Sequence, residues 1–261
     1  MMKKIIALLL ATLMLCALVA CQGKEDEVID DPVINIGAQH LTYTDDDGNT
    51  FTYDYLTSTT VEITAFSGSD EPHAVTIPTT IGEYTVAAIA DQAFFSYSNL
   101  SSVILPEGLT TIGDYAFANC EAMTSVSFPS TLTTVGAGSF YGCDTLASVN
   151  FSATALKSID ANAFADCPML SSVTFPATLA DIGAYSFANC TALTAITLPE
   201  GVTAVGTQAF YNCTAVASLT LPASLVEIGE WAFNPTARDL EDAAITVPAG
   251  SAAEAYIKSA R

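Results

Sequence analysis

The sequence predicts a repeat solenoid of β-rich coils, each about 23 residues long and closed by a short 3₁₀ or helical turn. A motif I/V-G-x-x-A/S-F recurs, with Ala90 and Asp160 replacing glycine in two copies, and successive copies lie 23 or 24 residues apart. Apolar residues make up 51% of the chain, enough for a large core. One such coil cannot bury its own large side chains, so stacked coils must share a core. The copies begin at Ile89, Ile112, Val135, Ile159, Ile182, Val205 and Ile228.

Each coil also carries a predicted strand. Alternating apolar residues such as Val126 and Phe128 are typical of a short, half-buried strand, and Pro129 ends it. The recurring glycines, Gly113 for example, are interpreted as sharp corners that need a permissive backbone. The A-F-x-x-C segment is one turn long, which favours a 3₁₀ or single α turn. Eight strand units are expected near Val75, Val103, Val126, Val149, Val173, Ile196, Leu219 and Ile245.

A column of cysteines follows the repeated phenylalanine. Spacings of 23 or 24 residues supply no C-x-x-C pair for zinc, and no metal site or cofactor is predicted. Stacked coils would permit disulfides, but the number is odd and Tyr97 and Thr236 occupy the same column. Buried thiols that act as small apolar fillers are the favoured interpretation. The column consists of Cys120, Cys143, Cys167, Cys190 and Cys213.

Charge and motif content exclude several function classes. Asp and Glu number 28 against 7 Lys and Arg, a net charge of −21, and such a chain repels the phosphates of nucleic acids. His40 and His73 have no nucleophile or carboxylate pattern around them. The acidic loop 45–49 lacks EF-hand spacing, although weak calcium binding is an alternative to a solvated turn. No catalytic motif is present in the sequence, so we expect no enzyme activity.

The N-terminus has the pattern of an export signal. Lys3 and Lys4 precede an apolar run over residues 5–20. The sequence Leu18-Val19-Ala20-Cys21 resembles a bacterial lipobox, which implies lipidation at Cys21 and membrane attachment through that lipid alone. A plain secretory signal is the alternative. Attachment to a Gram-positive membrane and display on an outer membrane both remain open.

The repeated I-G-x-x-A-F-x-x-C and L-P-x-x-L sequences resemble the BspA-like class of bacterial leucine-rich repeats, from about Val61 to the C-terminus. The resemblance implies a leucine-rich-repeat solenoid of the α/β horseshoe class, a right-handed superhelix. It also implies a cell-surface role in adhesion or protein–protein interaction with host or bacterial surface proteins.

Five segments are expected along the chain. Strand alternation around Asp45–Asn49 predicts a hairpin with an Asp-Gly turn, which would cap the first coil. The expected segments are a lipoprotein signal peptide (1–20), an acidic tether (21–35), an N-terminal cap hairpin with the first coil (36–88), the leucine-rich-repeat array (89–233), and a C-terminal capping coil with a short helix (234–261).

Two surfaces are candidates for binding. The first is the column just before A-F, where aromatic rings and amides suit a peptide or a sugar, unless the rings lie flat and only shield the core. The second is the outward face of the strands, rich in Ser and Thr, although such residues also suit any solvated strand. The candidate binding residues of the first column are Tyr115, Asn162, Tyr185, Gln208 and Trp231, with Gln92 and Gly138 in the same row.

These observations predict a non-enzymatic cell-surface lipoprotein that presents a repeat face for adhesion or protein–protein interaction. Repeat arrays offer extended binding surfaces and seldom carry catalysis. A glycan-binding surface lipoprotein and a structural spacer without its own ligand are the alternatives.

Overall fold

The repeat pattern folds into coils that each contribute two short strands to two different sets of sheets. The computed structural model describes residues 40–234, 241 and 244–260. The predicted signal peptide, the acidic tether and Cys21 lie outside these residues. Within them, no helix is long and apolar enough to span a bilayer.

The larger sheet has eleven strands, and from β3 onward its main path is a parallel ladder with one strand per coil. Ile112 is paired with Ile89 on one side and with Val135 on the other, so the isoleucine or valine of the motif lies in a strand. No strand was predicted at this position from the sequence. The strands are β1 Leu41–Thr44, β2 Thr50–Tyr55, β3 Thr60–Ser67, β5 Thr80–Ile81, β6 Tyr84–Ile89, β8 Thr111–Ile112, β10 Thr134–Val135, β12 Ser158–Ile159, β14 Asp181–Ile182, β16 Ala204–Val205 and β18 Glu227–Ile228.

The eight strand units predicted from the sequence form the second set. They associate in parallel as three small sheets, β4-β7-β9, β11-β13 and β15-β17-β19. Val103 pairs with Val75 and with Val126, which places identical motif positions side by side. The strands are β4 His73–Thr76, β7 Leu100–Ile104, β9 Ser125–Ser127, β11 Ser148–Asn150, β13 Ser172–Thr174, β15 Ala195–Thr197, β17 Ser218–Thr220 and β19 Ile245–Thr246. The predicted leucine-rich-repeat solenoid is therefore confirmed.

The glycine that follows the motif isoleucine is required for a reason other than the predicted one. Its φ does not lie in the left-handed region at Gly113, Gly183 or Gly229. Instead, a Cβ on Gly113 would lie 2.6 Å from the backbone nitrogen of Asp91 in the preceding coil. Glycine thus lets the backbones of adjacent coils approach, and the predicted need for a permissive backbone conformation is not what selects it at these three sites.

The A-F-x-x-C segments are turns that do not continue into helices. In one coil the amide of Ala118 donates to the carbonyl of Tyr115, and that of Cys120 to Phe117, both i→i+3 bonds of the expected 3₁₀ type. Tyr115 and Asn119 have positive φ, however, and these residues interrupt the right-handed path. The amides of the residues between these bonds donate to the next coil instead. The amide of Phe117, for example, donates to the carbonyl of Ser139 at 2.7 Å.

A ladder of phenylalanine rings forms the centre of the core. Successive rings are stacked with centroids 4.7–5.5 Å apart, close to the spacing of adjacent β-strands. The rings in the middle are almost parallel, with 3° between Phe140 and Phe164. The rings from Phe94 to Phe233 are buried and Phe66 at the N-terminal end is partly buried, so the ladder contributes apolar burial and offset aromatic contact in every coil. The ladder consists of Phe66, Phe94, Phe117, Phe140, Phe164, Phe187, Phe210 and Phe233.

Both ends of the ladder are covered. At the N-terminal end β1 and β2 form an antiparallel hairpin, in which the Asp45 carboxylate accepts the amides of Asp47 and Asn49. At the other end, helix α1 (Ala252–Ala260) buries Ile257 and places Tyr256 edge-on against Phe233. Phe233 is thereby fully shielded from water, and Phe66 is shielded in part.

Replacing one ring of the ladder tests the energetic role of the core. We expect Phe164→Ala to lower the free energy of unfolding by about 3–5 kcal/mol, because it removes a buried ring and leaves a cavity between Phe140 and Phe187. The matched control is Phe95→Ala, since Phe95 is 47% exposed, and it should change stability by less than about 0.5 kcal/mol. Urea unfolding followed by circular dichroism measures both. Equal effects would contradict a stabilising role of the ladder.

Candidate binding face

The structure aligns the candidate binding residues in one column along the stack. The amide of Tyr185 donates to Thr207, and that of Gln208 to Glu230, each at 2.9 Å. Each acceptor directly precedes the column residue of the next coil. Asn162, Tyr185, Gln208 and Trp231 therefore lie on four successive coils, and Gly138 separates Tyr115 from them.

Every residue of this column has a left-handed backbone. The φ angles are 54° at Tyr115, 59° at Asn162, 58° at Tyr185, 55° at Gln208 and 59° at Trp231. For L-residues this region costs roughly 1–2 kcal/mol each, and bulky side chains rarely adopt it. The turn that closes each coil imposes this conformation and directs the side chain away from the core.

The aromatic rings of the column rest on neighbouring residues and also face the solvent. Tyr115, Tyr185 and Trp231 are 41%, 40% and 48% exposed. A Cβ on Gly138 would overlap the Tyr115 ring, so that ring lies over the glycine of the next coil. Trp231 stacks on Tyr211 with centroids 6.3 Å apart and planes 20° from parallel. The rings thus cover neighbouring groups while they leave area available to a ligand.

A second left-handed column runs four residues after the first and serves as an internal comparison. Apart from Ser96, its members are Asn, Asp or Gly, the residues for which this conformation is least unfavourable. Their side chains connect coils: the Asn189 amide donates to Asp166 at 2.6 Å, and the Asn212 amide to Asn189 at 2.9 Å. The column consists of Ser96, Asn119, Gly142, Asp166, Asn189 and Asn212.

The contrast between the columns makes the first the stronger candidate for a binding surface. Where left-handed geometry has only a structural role, the chain uses Asn, Asp, Gly or Ser. In the first column it places Tyr115, Tyr185 and Trp231 at the same geometry, with their rings partly exposed. Backbone strain at exposed aromatic residues is a recognised sign of a binding role, since stability alone does not favour it.

Two aromatic residues beside this column were not predicted from the sequence. Tyr211 packs on Trp231, and Tyr141 hydrogen-bonds to Asp166, whose bond and charge raise the pKa of the Tyr141 hydroxyl. Both lie one residue after a ladder phenylalanine, a position that is otherwise mostly alanine. The recurring Asn, Asp and Gly of the second column were the available signal that this edge of the coil has left-handed turns.

The cysteine column lies inside the core and offers no reactive group to this face. Each thiol donates to the carbonyl of the preceding coil's phenylalanine, as Cys120 does to Phe94 at 3.3 Å and Cys167 to Phe140 at 3.2 Å. Burial raises the pKa of Cys120, Cys167 and Cys213 to about 12. A protonated, buried thiol is a poor nucleophile, so the column has the character of an apolar filler.

The hydroxyl-rich strand face is also exposed. Ser125 pairs with Ser102, and Thr220 with Thr197, so like residues are aligned at these points of the surface. Several hydroxyls just before these strands are used within the protein, for example that of Thr194, which donates to Ser171. This face has neither strained backbone nor aromatic rings, and the first column is the stronger candidate.

Relief of strain in the column is measurable. We expect Gln208→Gly to leave the free energy of unfolding level or raise it by up to about 1 kcal/mol, because glycine removes the left-handed penalty. The adjacent Thr207, which has no positive φ, supplies the control: Thr207→Gly should cost about 0.5–1 kcal/mol through unfolded-state entropy. Urea melts of both variants give the comparison. A loss at Gln208 as large as that at Thr207 would show that no strain is stored there.

Comparison with solved structures supports the fold. A T. pallidum leucine-rich repeat protein is 23% identical, with 80% of this chain and 92% of the other covered and a TM-score of 0.53. A leucine-rich repeat protein from Eubacterium ventriosum is 22% identical over 74% of this chain, with a TM-score of 0.63, and this chain covers 49% of it. No curated protein matches the sequence significantly.

The family comparison agrees with the geometry. The model of the BspA type leucine rich repeat region matches six copies over residues 59–193 and 157–246, most of the chain. Proteins built from such repeats are generally binding scaffolds of bacterial surfaces, with roles in adhesion or protein–protein interaction. The chain belongs to the BspA-type leucine-rich-repeat family.

Proposed function

We propose that this chain is a non-enzymatic bacterial surface lipoprotein that binds partner proteins through the column Tyr115, Asn162, Tyr185, Gln208 and Trp231, which we name the aromatic column. The observation that carries the proposal is the presence of large aromatic residues at left-handed positions, where the neighbouring column uses Asn, Asp and Gly. The partners are host or bacterial surface proteins.

The aromatic column has the composition of an interface centre. Tyr and Trp are enriched at such centres because they bury large areas with few rotatable bonds. Spacing by one coil gives rigid anchors along a line, so little entropy is lost on binding. Amides of Asn162 and Gln208 lie between the rings and can pair with polar groups of a partner.

One observation favours a second candidate, a glycan ligand. Tyr211 and Trp231 are stacked only 20° from parallel, and flat aromatic surfaces also suit the apolar faces of sugars. Glycan binding would use the same end of the aromatic column, so one assay can compare the two ligand classes.

The N-terminal sequence supports attachment to the cell envelope. The lipobox-like Leu18-Val19-Ala20-Cys21 supports a thioether-linked lipid on Cys21, with the acidic segment 21–35 as a tether. Stable anchoring by acyl chains requires more than one chain, which lipoprotein modification supplies. The repeat array would then be displayed outside the membrane.

A binding assay tests the proposed face. Purified protein is applied to arrays of surface and matrix proteins and of glycans, and we expect a saturable protein hit. Trp231→Ala should weaken it by about 2 kcal/mol or more, roughly thirtyfold. The control is Val226→Ala on the same coil, an apolar residue that is 63% exposed but outside the column, and it should change binding less than about threefold. Glycan hits alone would favour the second candidate, and equal effects of the two substitutions would contradict this face.

Lipidation has its own test. Cells that express the full chain are labelled with an alkyne fatty acid, and we expect label on the wild type and on Cys16→Ser but none on Cys21→Ser. The unlabelled variant should leave the membrane fraction, since Cys21 is the proposed anchor. Membrane attachment that persists in Cys21→Ser would contradict the proposal.

A further inference from the structure

The repeat array is almost devoid of cations. Between Lys24 and Arg238 the sequence contains a single Lys or Arg, Lys157. In the part of the chain that the structure describes, the ion pairs are His40–Asp54 at 3.2 Å and Lys258–Glu254 at 2.7 Å, near the two ends. The carboxylates on the coils between them therefore have no cationic partner in the described residues.

Several of these carboxylates flank the aromatic column. Asp114 immediately precedes Tyr115, and Glu230 immediately precedes Trp231, and both acids are exposed. Asp166, in the second left-handed column, hydrogen-bonds to Tyr141. Along this edge, negative charge thus lies beside Tyr115, Tyr141 and Trp231.

Repulsion among the carboxylates is part of the unbound state. Burial and the charge of Asp114 raise the pKa of Asp160, which lies two residues before Asn162 of the column. The titratable groups that face this region are acids and tyrosines, and no Lys, Arg or His of the described residues is paired with them. A cation placed beside Asp114 and Asp160 would offset the repulsion.

We propose that the partner segment recognised by the aromatic column is arginine-rich, with guanidinium groups stacked on Tyr and Trp and hydrogen-bonded to the adjacent carboxylates. This inference rests on the proposed protein-binding function of the column. Arginine fits because its planar guanidinium stacks on aromatic faces and donates to carboxylates in the same pose. Lysine offers the charge but no planar group, and a neutral sugar would leave the carboxylates without counter-charge.

The lone tryptophan supplies a direct readout. Trp231 is the single tryptophan of the chain, so intrinsic fluorescence reports on this face. The probes are nona-arginine and nona-lysine peptides, titrated into the purified full-length protein. We expect both to bind, with nona-arginine at least about fivefold tighter and quenching Trp231. Affinity should fall as NaCl rises from about 50 to 300 mM, because salt screens the charge component.

Matched variants separate a specific site from diffuse attraction by an acidic protein. Glu230→Gln and Asp46→Asn each remove one exposed negative charge, the first beside Trp231 and the second in the N-terminal hairpin turn. Glu230→Gln should weaken nona-arginine about fivefold, and Tyr211→Ser similarly, whereas Asp46→Asn should change it less than twofold. Circular dichroism of each variant confirms that the coils remain folded.

The outcomes distinguish a specific arginine site from diffuse electrostatic attraction, and the arginine inference from the proposed function. A preference for arginine that disappears in Tyr211→Ser and Glu230→Gln supports the proposal. Equal affinity for the two peptides, or equal effects of Glu230→Gln and Asp46→Asn, would show diffuse electrostatics and overturn it. If Trp231→Ala abolishes binding to a surface protein while arginine shows no preference, the proposed function stands and the arginine inference fails. If neither assay depends on Trp231, both are overturned.

Discussion

The close approach of backbones between successive coils is the constraint on which the rest of the structure depends. Glycine follows five of the two-residue strands and allows it, since a Cβ at Gly113 or Gly183 would lie 2.6 Å from a backbone nitrogen of the preceding coil. Ala90 holds the same position in the first copy of the motif, with its amide 2.8 Å from the carbonyl of Ile63. Asp160 occupies this position after the one 24-residue step. Its amide nitrogen lies 3.1 Å from the carbonyl oxygen of Val135, whereas the equivalent distance for the glycines is 2.7–2.9 Å. The approach sets the ladder of hydrogen bonds, and the ladder fixes the stacking distance of the phenylalanine rings.

A fixed coil spacing turns the sequence into columns with separate roles. Phe140 and Phe164 hold the same position in adjacent coils, as do Cys143 and Cys167. Inward columns keep one residue type because the side chain has the same neighbours in every coil. Outward columns are free of that requirement. The first left-handed column varies from Gln92 to Tyr115, Gly138, Asn162 and Trp231 along the stack, and this variation is consistent with the proposed binding role.

The repeat made much of the fold predictable. Strand alternation at Val126 and Phe128 correctly located the second set of sheets, because period-two burial is visible in three residues. The eleven-stranded sheet escaped prediction, since a two-residue strand such as Thr111–Ile112 has no period to detect. The candidate column was identified by residue type, but its left-handed backbone was not, because Tyr and Trp conceal a conformation that Asn and Gly normally reveal.

Carrying strained residues in every coil requires stability from elsewhere. Six non-glycine residues of the first column have positive φ, Gln92 among them. At roughly 1–2 kcal/mol each, their cost is comparable to the whole stability of an ordinary domain. The stack can bear it because each coil also buries a phenylalanine and adds a row of ladder hydrogen bonds, terms that grow with the number of coils. A repeat array is thus suited to hold rigid aromatic anchors in a conformation that a smaller core would not support.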